Sequence, residues 1–203
     1  MAIKSLQHSS LTDNAFYRSV LAGNDAFEPD DEDFLEEIVL SSSAASVTFS
    51  GLGAYSDYKH LQIRAVTRDT RAISGTNNVL MTFNSDTGSN YRQLHVLKGD
   101  GSSVSSYAEA QSSSIIPFGS PSANDTTNAF TAAVIDLLDA FSSNKYTTSR
   151  TLRGTNVAAA YATQVVLASG LWMNTASLTD ISFAPISASF AVGSRFSIYG
   201  VRG

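Results

Sequence analysis

From residue 38 onward, apolar and polar residues alternate in short runs separated by Ser-, Gly- and Asn-rich turns. In the run Tyr58–Arg68, Leu61, Ile63 and Ala65 fall on one side and Gln62 and Arg64 on the other. A period of two marks a half-buried strand. Val79, Met81 and Phe83 alternate next, and Tyr91–Leu97 alternates beyond the loop Asn84–Asn90. Two such runs around a Gly- and Asn-rich loop predict a hairpin. Further strands are expected at Ile38–Leu40, Val47–Phe49, Phe130–Leu138, Tyr146–Arg153, Thr163–Trp172, Leu178–Phe183 and Arg195–Val201. The Ser- and Pro-rich segment 102–128 reads as a long loop with one edge strand. This pattern predicts an all-β domain, an antiparallel β-sandwich or jelly roll. Ile63, Phe83, Val134, Leu167, Phe183 and Phe196 are the expected core between two sheets.

The first 37 residues read differently. Phe16, Tyr17, Val20 and Leu21 sit at i, i+1, i+4 and i+5, which fits a short amphipathic helix over roughly 12–22, capped by Thr12 or Asp13 and stopped at Gly23-Asn24. Such a helix either packs on its own domain or docks on another subunit. With Leu11 these four are the candidate partner-docking residues. An acidic stretch around Pro29 follows, read as a solvated spacer, with a basic docking surface or a cation as the alternatives. Residues 1–37 hold nine acids and two bases, a charge of −7, so the remainder carries +2 of the chain's net −5. The division expected is therefore an acidic attachment arm, 1–37, and a β-domain, 38–203. The missing basic stripe argues against nucleic-acid binding.

Charged residues make up 15% of the 203, below the roughly 25% usual for soluble domains. Ser, Thr, Asn and Gly take their place, which suits strands, turns and surfaces that meet other protein. The chain has no cysteine, which excludes disulfides, thiolate metal sites and a thiol nucleophile. No apolar run approaches the roughly 18 residues needed to cross a bilayer, so no membrane insertion is expected. The start, Met1 to Ser5, lacks the features of a signal peptide, which points to synthesis in a cytoplasm.

Signals for chemistry are sparse. His60 and His95 have no acidic or histidine neighbour at ligand spacing, and His8 lies in the arm. There is no G-x-S-x-G elbow, P-loop or dinucleotide-binding glycine motif. The loop Asn84–Asn90 shares the first part of a calcium loop but lacks its distal Glu, and reads as a turn. Asp86 and Asn90 there, with Asn124 and Asp125, are the surface-loop recognition candidates. No pair among the nine acids of the body stands out as a glycosidase pair. The reading is a protein that is no enzyme, with no catalytic residue, no metal and no cofactor.

Four stretches together carry a resemblance: Leu21–Asn24, Ala45–Ser50 followed by Tyr58–Arg64, Asn144–Thr148, and Gly193–Gly200 with its sequence G-S-R-F-S-I-Y-G. In order and spacing the chain resembles a family of small virion structural proteins of tailed phages of cyanobacteria and other aquatic bacteria. The resemblance implies a part of a phage particle, a tail-fibre-type component with an N-terminal anchor and a displayed β-domain for host attachment. Its implied partners are other virion proteins of the tail, baseplate or capsid, further copies of itself in a homotrimer, and a host surface glycan or protein. The alternatives are a capsid decoration or cement protein on the head surface and, in third place, a virion-borne polysaccharide depolymerase.

Overall fold

The computed structural model describes residues 32–108, 110–158 and 163–203, with the backbone alone for 93–95. The described chain is an antiparallel two-sheet sandwich with thirteen strands and one 3-10 turn, Leu52–Tyr55. The strands are β1 (Glu32–Val39), β2 (Val47–Ser50), β3 (His60–Thr67), β4 (Thr76–Phe83), β5 (Tyr91–Gly99), β6 (Val104–Tyr107), β7 (Gln111–Ser112), β8 (Ile115–Pro121), β9 (Thr131–Leu138), β10 (Thr147–Thr155), β11 (Gln164–Trp172), β12 (Asp180–Pro185) and β13 (Arg195–Val201). The large sheet runs β1-β13-β3-β9-β10-β11-β5-β6, with β7 also on β5, and the small sheet runs β2-β12-β4-β8.

The period of two in β3 buries Leu61, Ile63, Ala65 and Thr67 and leaves Arg64 exposed. The same alternation in β12 buries Ile181, Phe183 and Pro185. Phe183 packs on Phe196 with ring centroids 5.3 Å apart, and Phe190 meets Phe196 edge-on at 5.1 Å. These rings, with Phe49, Phe83, Phe118 and Trp172, form one core between the sheets. Gly170 lets the sheets approach, because a Cβ there would lie 2.8 Å from Ile115 of β8.

Four expectations need correction. Val134 and Leu167 are 38% and 52% exposed, not core, while Ile63, Phe83, Phe183 and Phe196 are fully buried. In β9 the buried set is Ala133, Ile135 and Leu137, so Val134 falls on the opposite phase together with Asp136. The runs around Asn84–Asn90 are not a hairpin: β4 pairs with β12 and β8, whereas β5 pairs with β11 in the other sheet. The loop between them crosses from sheet to sheet, at the point where Asn84 and Ser85 adopt left-handed φ of 50° and 54°. Segment 102–128 holds three strands, one of them the buried β8. Finally, the strand pattern starts at Glu32 and not at residue 38, because β1 pairs with β13 from Glu32↔Val201 to Val39↔Arg195. Four acids of the supposed spacer, Glu32, Asp33, Glu36 and Glu37, are thus strand residues.

Candidate functional site

The inner surface of the large sheet meets the small sheet; the outer surface has no second layer among the described residues. The registers lay out that outer surface. Val134 of β9 pairs with Leu152 of β10, Leu152 with Leu167 of β11, and Leu167 with Leu97 of β5. This is an unbroken apolar row across four strands, with exposures of 38%, 56%, 52% and 48%. The next row runs Ala132, Gly154, Val165 and Gly99, and Val165 is 61% exposed. Gly154 adds no side chain, and a Cβ there would meet nothing within 4 Å. The result is a shallow hollow of about 470 Å³ bordered by Val66, Ala132, Val134, Leu152 and Val165.

The row arises from the strand sequences themselves. In β10 the buried positions are Thr147, Ser149, Thr151 and Thr155, so the apolar Leu152 falls outward. Of these inward hydroxyls, Thr155 Oγ1 lies 2.6 Å from Thr131 Oγ1 of β9, which donates to the Gly119 carbonyl at 2.7 Å. In β11 the fully buried Trp172 fixes the phase, which sends Val165 and Leu167 outward.

A polar border flanks the row. Asp136 accepts from Gln62 Nε2 at 3.0 Å and lies 3.7 Å from the Arg150 guanidinium. Arg64 donates Nε to Gln62 Oε1 at 2.9 Å, lies 4.2 Å over the Tyr199 ring, and forms an ion pair with Glu32. Arg195 stands 3.8 Å from Glu37, which also accepts from Ser197 Oγ at 2.8 Å. The face therefore combines an apolar centre with arginines on its borders. It offers area and no proton-transfer pair: covering the half of each leucine that meets water contributes about 1 kcal/mol per residue.

The loop candidates are placed elsewhere and are occupied internally. Asp86 accepts from Trp172 Nε1 at 2.8 Å, from Gly88 N at 2.9 Å and from Asn90 Nδ2 at 3.0 Å. The Trp172 bond first, then the Asn90 bond, hold its carboxyl below the usual carboxylate range. Asp125 is buried and accepts from Gly75 N at 2.9 Å, Thr126 N at 2.7 Å and Ala158 N at 3.1 Å. Arg68 closes the same turn by donating to the Thr126, Ala129 and Ala123 carbonyls. Asn124 is exposed and donates Nδ2 to the Ala72 carbonyl at 2.8 Å. Asp86 and Asn90 are brought together, as are Asn124 and Asp125, but each pair braces its own loop.

Leu11, Phe16, Tyr17, Val20 and Leu21 lie outside the described residues. His60 Nδ1 accepts from Asp139 N at 2.9 Å, a turn-closing contact. Among the described residues no group of three His, Cys, Asp or Glu could hold a metal ion. No helix of the described residues is long and apolar enough to cross a membrane.

The row Val134–Leu152–Leu167–Leu97 was not anticipated as a site. One signal was available: Asp136 shares a strand face with Val134, two residues away, and a carboxylate belongs on the wet face of a sheet.

No family model matches the chain, and no curated protein matches it. Among solved structures, the chain is similar to a variant of the alginate lyase Aly36B in complex with alginate tetrasaccharide, at 10% identity over 93% of this chain and 91% of that one, with a TM-score of 0.30. A second variant of that lyase, in complex with alginate trisaccharide, is 8% identical over 94% of this chain and 93% of that chain, with a TM-score of 0.29.

Proposed function

We propose that the chain is a non-enzymatic structural part of a phage virion, a tail-fibre-type component held to the particle by its N-terminal segment and displaying its β-domain. The observation that carries a structural role is the apolar row Val134–Leu152–Leu167–Leu97 on the outer sheet face. A contiguous apolar patch with a polar border is the form of a protein-docking surface. The phage assignment rests on the resemblance carried by Gly193–Gly200 and the three other stretches. In support of a non-catalytic role, Asp86, Asp100, Asp125 and Asp139 are engaged in turn hydrogen bonds or an ion pair.

The same face favours a second reading, capsid decoration, because it places a docking surface on the β-domain itself. Copy number separates the two. In particles purified from a phage carrying this gene, a band comparable to the major capsid protein means decoration, and a small fraction of it means a fibre. Absence of the protein from purified particles overturns both.

A further inference from the structure

We infer that the outer face takes a second copy of this chain, packed face to face about a twofold axis that runs across the strands between the rows of Leu152 and Gly154. This rests on the reading of that face as a docking surface and names its partner.

The face carries a ridge beside a groove. The ridge is the row Val134–Leu152–Leu167–Leu97, and the groove is the next row, Ala132–Gly154–Val165–Gly99. Two hollows lie along the groove. One is the hollow of about 470 Å³; the other, of about 440 Å³, shares Ala132, Gly154 and Val165 with it and reaches Gly99. Ridge and groove are two residues apart along each strand, or about 7 Å.

An axis between the two rows lays the ridge of each copy into the groove of the other. Val134 of one copy then meets Ala132 of the other, Leu152 meets Gly154, Leu167 meets Val165 and Leu97 meets Gly99. Most of the ridge lands on alanine or glycine, so the two faces can close to the ~10 Å of packed sheets. An axis along the strands would instead set Leu152 against Leu167 and Val134 against Leu97, ridge on ridge, with the hollows unfilled. The face is therefore complementary to itself, which an isologous contact requires.

Charge and size agree. The border arginines Arg64, Arg150 and Arg195 each stand beside an acid, Glu32, Asp136 and Glu37, so like borders meet without net repulsion. Eight strands in sequence, each about eight residues long, give a face of about 34 by 27 Å, on the order of 900 Å². A standard interface takes about 800 Å² from each partner. A contact of this minimal size with no charged anchor is reversible, and at low concentration the chain melts as a single domain.

Gly154 supplies the test. It lies in β10, and a Cβ there would meet nothing within 4 Å, so Gly154→Leu should fold and melt as the wild type does while filling the groove. The full-length chain is followed by sedimentation velocity from about 1 µM to about 300 µM. The wild type should pass reversibly from monomer to dimer and stop there. Gly154→Leu should weaken pairing at least about tenfold, although it makes the face more apolar. Leu152→Ala/Gly154→Leu exchanges ridge and groove on β10 and should recover most of that loss. A wild type that stays monomeric, or that forms trimers or larger species, overturns the inference. So does a Gly154→Leu variant that associates as well as the wild type, or a double variant that pairs no better than Gly154→Leu. The docking reading fails separately: if Leu152→Asp/Leu167→Asp joins particles at wild-type level, the face is not used in assembly, whatever sedimentation shows. A monomeric wild type whose Asp variant is excluded from particles overturns the pairing alone and gives the face to another protein.

Discussion

Trp172 Nε1 donates to Asp86 Oδ2 at 2.8 Å, which joins the end of β11 in the large sheet to the loop that carries the chain out of the small sheet. The indole is fully buried, so its one donor depends on this carboxylate. Asp86→Ala leaves that donor unpaired and should cost about 1–3 kcal/mol. Because the folded carboxyl titrates below its ordinary range, the bond stabilises the fold above about pH 4 and loses that effect as pH falls through the lowered value. Melting curves taken on descent from neutral pH should show this loss in the wild type, and Asp86→Asn should remove that part of the acid sensitivity.

Asp69 has the opposite sign. It is fully buried, and burial raises its pKa despite the bond it accepts from Arg71 N at 2.7 Å. The folded state therefore favours the protonated form. Stability from this group is complete below the ordinary carboxylate range and is lost as pH rises through the raised value. Asp69→Asn keeps an acceptor for Arg71 N and cannot ionise. Its melting temperature should fall less between acidic and neutral pH than that of the wild type.

Phe196 and Leu167 form a contrasting pair, since sequence analysis expected both in the core. Phe196 is fully buried among Phe183 and Phe190, and Phe196→Ala should cost about 3–5 kcal/mol. Leu167 is 52% exposed, and Leu167→Ala should change stability by less than about 1 kcal/mol. Chemical denaturation of the two variants checks both values.

The start of the β-domain is open to direct test. Leu35 and Ile38 pack against the core from β1, and Glu32 and Glu37 pair with Arg64 and Arg195. A chain beginning at Glu32 should melt as the full-length protein does. One beginning at Leu40 removes β1, exposes the edge of β13 and should melt at a clearly lower temperature.

The sequence made the strands legible because one buried face imposes a period of two, and in β3 and β12 the apolar set lies on one phase only. It was ambiguous where both phases are apolar. In β9, Ala133, Ile135 and Leu137 compete with Ala132, Val134 and Leu138, and only tertiary packing decides between them. In β10 the inward positions are mostly Thr and Ser, and the Thr155 hydroxyl pairs with Thr131 of the neighbouring β9, so a polar phase is the buried one. Sheet membership was hidden for another reason. The loop Asn84–Asn90 has hairpin composition, yet Asn84 Oδ1 accepts from Thr179 N at 2.8 Å and ties β4 to the approach to β12. No local pattern reports a partner 95 residues away.

The outer face yields the prediction that bears most on function. Leu152 and Leu167 are directly paired, 56% and 52% exposed, and contribute little to the core. Aspartate at both positions places two carboxylates where a partner would need dry apolar contact. In the free domain these carboxylates remain in water, and Arg150 on the same face moderates their repulsion. The thermal midpoint of Leu152→Asp/Leu167→Asp should therefore stay within a few degrees of wild type. In the docked state each carboxylate must be desolvated, at several kcal/mol per unpaired charge. That cost exceeds the ~1 kcal/mol each half-exposed leucine contributes when covered. Incorporation into purified particles should consequently fall below detection on a stained gel. A control with the same substitution at Val192, 58% exposed but outside the row, should be incorporated normally. Equal incorporation of the double variant and the control would remove the outer face from the assembly.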